Sequence, residues 1–122
     1  MVKYVKASRE NASEYLWTAV CTGNINQVKK YYENGGMPNR KYPRFGTDHS
    51  LIMGAVRNRN FEMANLLADY GENVSKEEAR EILSILGNAQ LDLETKSAYG
   101  INTDTLLETI DGLNELVHKL GI

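Results

Sequence analysis

Residues 22–36 of this chain read TGNINQVKKYYENGG and carry the start and stop signals of one short helix. Asn24 precedes the helical pattern and can accept a hydrogen bond from the first turn, while Gln27 lies three residues later, at the spacing of a capping box. Gly35 supplies the left-handed residue with which many helices end. The pattern predicts an amphipathic helix whose apolar face consists of Ile25, Val28 and Tyr31 or Tyr32.

The segment just before it predicts a second short helix. Residues 13–21, SEYLWTAVC, place Leu16, Ala19 and Val20 on one face at helical spacing. Because only a tight turn at Gly23 separates the two helical patterns, we expect residues 13–35 to form two antiparallel helices.

This two-helix unit recurs 36 residues later in the chain. The stretch LWTAVCTGNINQVKKYYENGG, from residue 16, aligns with IMGAVRNRNFEMANLLADYGE, from residue 52. Apolar, alanine, asparagine and terminal glycine positions all match at this one offset, which indicates an internal repeat. The matched pairs are Leu16 with Ile52, Ala19 with Ala55, Val20 with Val56, Asn24 with Asn60, Ile25 with Phe61, Val28 with Ala64, Tyr31 with Leu67 and Gly35 with Gly71.

The two units resemble the ankyrin repeat, which recurs about every 33 residues as a turn plus two helices. The resemblance covers residues 13–75 and is closest in the second helices, which follow Gly-Asn in the first unit and contain a Leu-Leu pair before a glycine in the second. The family's Thr-Pro-Leu-His signature is replaced by Ser-Leu-Ile-Met at residues 50–53, and Arg59 stands at the usual turn glycine. The resemblance implies an all-α, ankyrin-like stack of helix-turn-helix repeats that recognises a macromolecule without performing chemistry.

The chain beyond the second unit predicts further helices. Ser75 and Glu78 form a capping-box pair, and the apolar face that follows consists of Ala79, Ile82, Leu83 and Leu86. Because Gly87-Asn88 repeats the Gly23-Asn24 pair, we interpret residues 76–102 as a possible degenerate third repeat.

A last helix is predicted over residues 103–121, with Leu106, Ile110, Leu113, Val117 and Leu120 at alternating spacings of four and three. A repeat array exposes an apolar flank at each end, so a C-terminal capping helix is the favoured role. A homodimer seam through the 103–120 helix is the alternative. We therefore expect one domain over 1–122. It is divided into an N-terminal cap or tail (1–12), repeat 1 with the connecting loop after its helices, here called the finger (13–48), repeat 2 (49–75), the degenerate repeat 3 (76–102) and the capping helix (103–121).

The composition is that of an ordinary globular domain, with 42% hydrophobic and 25% charged residues. No run of about 18 apolar residues and no apolar N-terminal signal core occur, which argues against a membrane span and a secretory signal. The single cysteine, Cys21, excludes an internal disulfide and favours a reducing, cytoplasmic setting. Charge is uneven: ten Lys/Arg against four Asp/Glu give +6 in residues 1–59, and four against twelve give −8 in residues 60–122.

The residue types needed for catalysis are poorly represented. His49 and His118 are the only histidines and lie far apart; Asp48 precedes His49, but no serine or cysteine nucleophile accompanies the pair. No two histidine or cysteine residues have metal-ligand spacing, and no glycine-rich phosphate loop occurs. We therefore expect no catalytic residues, no metal, no cofactor and no enzyme activity.

One segment is suited to contact with a partner. NRKYPRFG, residues 39–46, interleaves basic with aromatic residues, and its proline stiffens the loop. Repeat proteins place binding residues on projecting loops and on the adjoining helices. The candidate partner-binding residues of this segment are Arg40, Lys41, Tyr42, Arg44 and Phe45. Arg57 and Arg59 are further candidates, and they fall in the helix-to-helix turn at the other end of the first helix.

These residues favour one function and leave another open. The favoured function is a protein-protein interaction module, an adaptor or inhibitor that engages a specific acidic protein surface through the basic finger and inner helices. The alternative is a nucleic-acid-binding protein that uses the finger at 39–46, because basic residues hold phosphates and aromatic residues stack on bases. The acidic C-terminal half argues against the alternative, since it would repel a long polyanion. A third hypothesis makes the acidic half the working face, competing for a basic site on a partner.

Overall fold

The computed structural model describes residues 9–36, 38, 42–44 and 47–122 of the chain. The predicted all-α class is confirmed for these residues, apart from one short hairpin. The helices are α1 (Arg9–Thr22), α2 (Ile25–Glu33), α3 (Leu51–Arg57), α4 (Phe61–Asp69), α5 (Lys76–Ala98) and α6 (Asp104–Leu120). The hairpin pairs β1 (Tyr42–Arg44) with β2 (Thr47–His49) in antiparallel register, Tyr42 opposite His49 and Arg44 opposite Thr47.

The second helices of the two repeated units begin and end at the predicted residues. The Asn24 side chain accepts a hydrogen bond from the Gln27 backbone amide at 3.2 Å, and Asn60 accepts the equivalent bond from Met63 at 3.0 Å. Past the ends of α2 and α4 the glycines at 35 and 71 take φ angles of +89° and +94°, which only glycine adopts without strain. The local signals therefore fix both second helices, whereas α1 begins earlier than predicted, at Arg9.

The helices pair in chain order, α1 with α2, α3 with α4 and α5 with α6. Short connections make each pair antiparallel. Within the described part of the chain, all six helices contribute fully buried side chains, including Val20 of α1 and Val28 of α2. The largest fully buried ones there are Leu51, Ile52, Met53, Met63, Leu67, Ile82, Leu113 and Leu116.

The predicted turn at Gly87-Asn88 does not form, because α5 runs uninterrupted for 23 residues. Its buried face continues past that point, from Ile82 through Leu86 to Ala89, so packing keeps the glycine helical. The interpretation of residues 76–102 as a third helix-turn-helix unit is therefore wrong. The third pair consists of α5 and α6. Leu83, predicted to face inward, is 43% exposed.

The contacts between the second helix pair (α3, α4) and the third (α5, α6) show how their helices are oriented relative to one another. In the first helices, the Ser50 amide of the α3 cap donates to Glu78 of α5, and Arg57 at the end of α3 pairs with Glu81. In the second helices, Phe61 lies against Gly112 and Asp69 pairs with Lys119. Corresponding helices of pairs two and three therefore run parallel.

The apolar stripe of α6 is occupied by packing within the chain. Ile110, Leu113 and Leu116 are buried, and Leu106, Val117 and Leu120 pack against the same core. The helix contacts α4 and α5. A homodimer seam built from this stripe is therefore not available.

None of the helices in the described residues has the length and apolar character needed to cross a bilayer.

Candidate functional site

An open groove of about 720 Å³ crosses the second helices α2, α4 and α6. Its apolar lining consists of Ile25, Phe61 and Leu66, all of which are half-buried and pack against the core. Polar and charged residues from all three helices and from the α3–α4 turn complete the lining. The groove is thus a surface shared by three helices, which suits a macromolecular segment better than an enclosed small molecule.

The wall between α4 and α6 depends on one glycine and one asparagine. A Cβ atom at position 112 would lie 2.7 Å from the Cβ of Phe61, so only glycine permits this helix spacing. Asn65 donates from Nδ2 to the Phe61 carbonyl at 2.8 Å and to the Gly112 carbonyl at 3.1 Å. Its Oδ1 is buried and has no hydrogen-bond partner among the described residues. The bond to the Gly112 carbonyl links α4 to α6 along the groove, whereas the bond to the Phe61 carbonyl lies within α4.

A charge cluster closes one end of the groove. Lys119 lies 3.0 Å from Asp69 of α4 and 2.9 Å from Glu115 one turn earlier in α6. The hydrogen bond to Glu115 and, to a lesser extent, the contact with Asp69 raise the pKa of Lys119 above its ordinary value. Partial burial acts in the opposite direction but does not cancel this rise. The Lys119 ammonium group therefore stays charged and is anchored by Asp69 and Glu115 at this end of the groove.

Other charges that line the groove remain open to a partner. Lys29 and Arg59 come from the basic half of the chain, residues 1–59, and Glu62 and Glu108 come from the acidic half. All four side chains are exposed. Within the part of the chain that the structure describes, none of these four makes an ion pair. The groove therefore presents exposed charges of both signs.

Arg59 is held in a conformation that non-glycine residues rarely adopt. It lies in the α3–α4 turn with a φ of +57°, where the first unit has Gly23 at +78°. A left-handed non-glycine residue costs about 1–2 kcal/mol. The chain thus keeps an arginine at the edge of the groove at some cost in stability.

Arg59→Gly is accordingly expected to raise the free energy of unfolding by about 1 kcal/mol, because it removes this left-handed strain. Chemical denaturation measures the change. The control is Asn58→Gly, one residue earlier with a φ of −91° and a side-chain bond to the Gly54 carbonyl. That variant loses stability. Destabilisation by Arg59→Gly would show that the arginine side chain supports the fold.

The structure separates the residues predicted to bind a partner. Tyr42 and Arg44 are the first and last residues of β1, so part of the finger is a hairpin. Arg40, Lys41 and Phe45 lie outside the described residues. Arg59 lines the groove, whereas Arg57 pairs with Glu81, its Nη2 at 2.9 Å and its Nε at 3.3 Å from the two carboxylate oxygens. Arg57 therefore links α3 to α5.

A tyrosine cluster joins the first two pairs at the ends of their second helices. Tyr32 stacks on Tyr70 with ring centroids 4.5 Å apart and donates its hydroxyl hydrogen bond to Glu72, which is 3% exposed. Pro38 lies close to Gly71, its Cγ 3.8 Å from where a Cβ atom would stand. The segment entering the finger thus starts from a packed base.

Sequence reasoning did not predict the groove. A usable signal was present in Thr105, Thr109 and Gly112, small residues at helical spacing beside the apolar stripe of α6. Such a row allows a neighbouring helix to approach closely. It does not reveal which helix approaches, so the groove follows only from the fold.

Residues of the types used for chemistry are scattered. Cys21 is half-buried in α1, His118 is exposed near the end of α6, and His49 ends β2. Among the described residues, no group of three or more His, Cys, Asp or Glu side chains is arranged to hold a metal ion.

Comparison with protein-family models, with characterised proteins and with solved structures found no match to this chain.

Proposed function

We propose that this chain is a non-catalytic protein-protein interaction module built as an ankyrin-like stack of three helix pairs. The observation that carries the proposal is the arrangement of the pairs, whose corresponding helices run parallel in pairs two and three. The asparagine caps and left-handed glycines shared by α2 and α4 also support a repeat. Stacked repeats offer extended surfaces for recognition, and here a groove crosses three helices.

In this proposal the last pair, with α6 as its second helix, caps the array. A terminal repeat needs an apolar face toward its neighbour and a polar face toward water. In α6 the buried Ile110, Leu113 and Leu116 meet the first requirement. The exposed Asp104, Glu108, Asp111 and Glu115 meet the second.

The proposed binding surface is the basic finger, and Arg59 at the groove edge is a second patch at the other end of α3. The finger connects pairs one and two, and its sequence supplies Arg40, Lys41, Tyr42, Arg44 and Phe45. Arginine and tyrosine are the residue types most enriched at energetically important contacts. The charge of +6 in residues 1–59 favours an acidic protein surface. Binding would make the chain an adaptor or an inhibitor of that partner.

The double variant Arg40→Glu with Arg44→Glu is expected to abolish partner binding and leave the thermal midpoint nearly unchanged. Reversing two charges changes the contact with an acidic surface from attraction to repulsion. Arg40→Gln with Arg44→Gln is the matched control, which removes charge without reversing it and weakens binding less. A large fall in the thermal midpoint would show that the finger is structural.

Nucleic-acid binding is the second candidate, supported by the interleaving of basic and aromatic residues at 39–46. The exposed carboxylates of α6 oppose it, because they would repel a polyanion. The two candidates differ in their response to salt and to sequence. Affinity for single-stranded oligonucleotides that falls steeply with salt and tolerates any sequence would replace the protein-binding proposal.

A further inference from the structure

The outward face of α5 carries apolar side chains that nothing in the described chain covers. Leu83 is 43% exposed and Leu91 is 63% exposed. They lie two helical turns apart, about 12 Å along the axis, with Gly87 midway between them on the same face. These three residues form one stripe, opposite the buried face of Ile82, Leu86 and Ala89.

No contact among the described residues explains the glycine at position 87. The other two glycines inside helices have close neighbours: a Cβ at Gly54 would lie 3.2 Å from the Trp17 ring, and one at Gly112 would lie 2.7 Å from Phe61. In the described part of the chain, a Cβ at Gly87 would meet nothing within 4 Å. Glycine weakens a helix interior relative to alanine. Close approach of another backbone is one reason for such a glycine.

The stripe is symmetric about Gly87 in both polarity and charge. Going outward, a leucine lies four residues away on each side, and a charged residue lies three residues beyond each leucine. Those residues are Arg80 at one end and Glu94 at the other. Both are exposed, and neither makes an ion pair in the described part of the chain. The two ends therefore carry opposite charges at equal distances from the centre.

We propose that a second copy of this chain packs antiparallel on this face and forms a dimer with two-fold symmetry centred on Gly87. The two helices cross at the paired glycines. Leu83 packs against Leu91 of the partner subunit, and Arg80 pairs with Glu94 of the partner subunit. By symmetry each contact occurs twice, which is the defining property of an isologous interface.

The symmetry of the stripe identifies the occupant as a second copy. An unrelated helix would need complementary residues but would not require this chain to be complementary to itself. An antiparallel copy supplies the opposite charge at each end and an apolar residue opposite each leucine. None of the five stripe residues lines the groove across α2, α4 and α6, so the dimer leaves that groove accessible. It would display two binding surfaces, which increases avidity for a repeated partner.

Sedimentation equilibrium of the full chain from about 1 μM to about 1 mM tests the proposal. The expected result is a concentration-dependent shift toward twice the 13.7 kDa of one chain. Arg80→Glu and Glu94→Arg, each alone, place like charges together twice per dimer and raise the dissociation constant at least about tenfold. The double variant, Arg80→Glu with Glu94→Arg, restores opposite charges and returns the dissociation constant to within about threefold of the wild type.

Two further variants separate this face from a general effect on folding. Gly87→Gln keeps the helix and blocks close approach, so the chain becomes monomeric. Asn88→Gln changes an exposed residue of the same turn that lies off the stripe, and the dimer persists. Far-ultraviolet circular dichroism of each variant checks that the helices remain. A wild-type chain that stays monomeric throughout, or a dimer that ignores both single charge reversals, would overturn the proposal. A double variant whose dissociation constant does not return toward the wild-type value would also overturn the proposal.

Discussion

Replacing Glu78 by alanine is expected to lower the free energy of unfolding by about 2–4 kcal/mol, the largest effect of any single change considered. The Glu78 carboxylate is 7% exposed and accepts hydrogen bonds from two backbone amides, Ser75 at 2.9 Å and Ser50 at 3.0 Å. The first bond completes the capping box of α5. The second reaches the cap of α3, 28 residues earlier in the chain. Alanine would leave both amides without their charged acceptor.

Glu77→Ala is the matched control, because Glu77 is the preceding residue, is exposed and lies in the same first turn. Its effect should stay within about 0.5 kcal/mol, the usual range for surface positions. Urea denaturation of the two variants and the wild type gives the comparison. Equal losses at both positions would mean that acidic charge at the start of α5 matters, and the link between α3 and α5 does not.

Alanine at Gly112 is expected to lower the free energy of unfolding by about 1–2 kcal/mol, although alanine favours helices. The new methyl group would stand 2.7 Å from the Cβ of Phe61, too close for any adjustment of side chains alone. The helices α4 and α6 would have to separate. Separation also weakens the bond from Asn65 to the Gly112 carbonyl. These losses exceed the gain of about 1 kcal/mol in helix propensity.

The same substitution at Gly87 should have the opposite sign. A methyl group there meets no neighbour among the described residues, so Gly87→Ala gains helix propensity and raises the free energy of unfolding by about 0.5–1 kcal/mol. Both variants are compared at about 1 μM chain, where association contributes little. Stabilisation at both positions would contradict the close contact between α4 and α6.

Local signals in the sequence predicted the ends of α2 and α4 and the start of α5, because the physics of capping is local. Asn24 and Asn60 reach backbone amides three residues away, and Ser75 and Glu78 satisfy each other within one turn. The buried faces of α1 to α4 followed from helical spacing for the same reason. The 36-residue offset then predicted that the two units would be alike.

Features that depend on tertiary packing could not be predicted in this way. Gly87-Asn88 matched Gly23-Asn24 in sequence, but the apolar face continues across it and the helix does not break. Arg57 was predicted to bind a partner, and its ion pair with Glu81 bridges 24 positions of the chain. The groove needs three helices in place before it exists.

Capture of partners from the native host's lysate, with and without nuclease, tests most directly whether this chain is a protein-binding module. Wild-type chain and the Arg40→Glu, Arg44→Glu variant serve as paired baits, and mass spectrometry identifies what each retains. We predict one dominant protein that survives nuclease treatment and is lost with the charge-reversed finger. Recovery that disappears with nuclease, or a partner retained equally by both baits, would contradict recognition of an acidic protein surface by the finger.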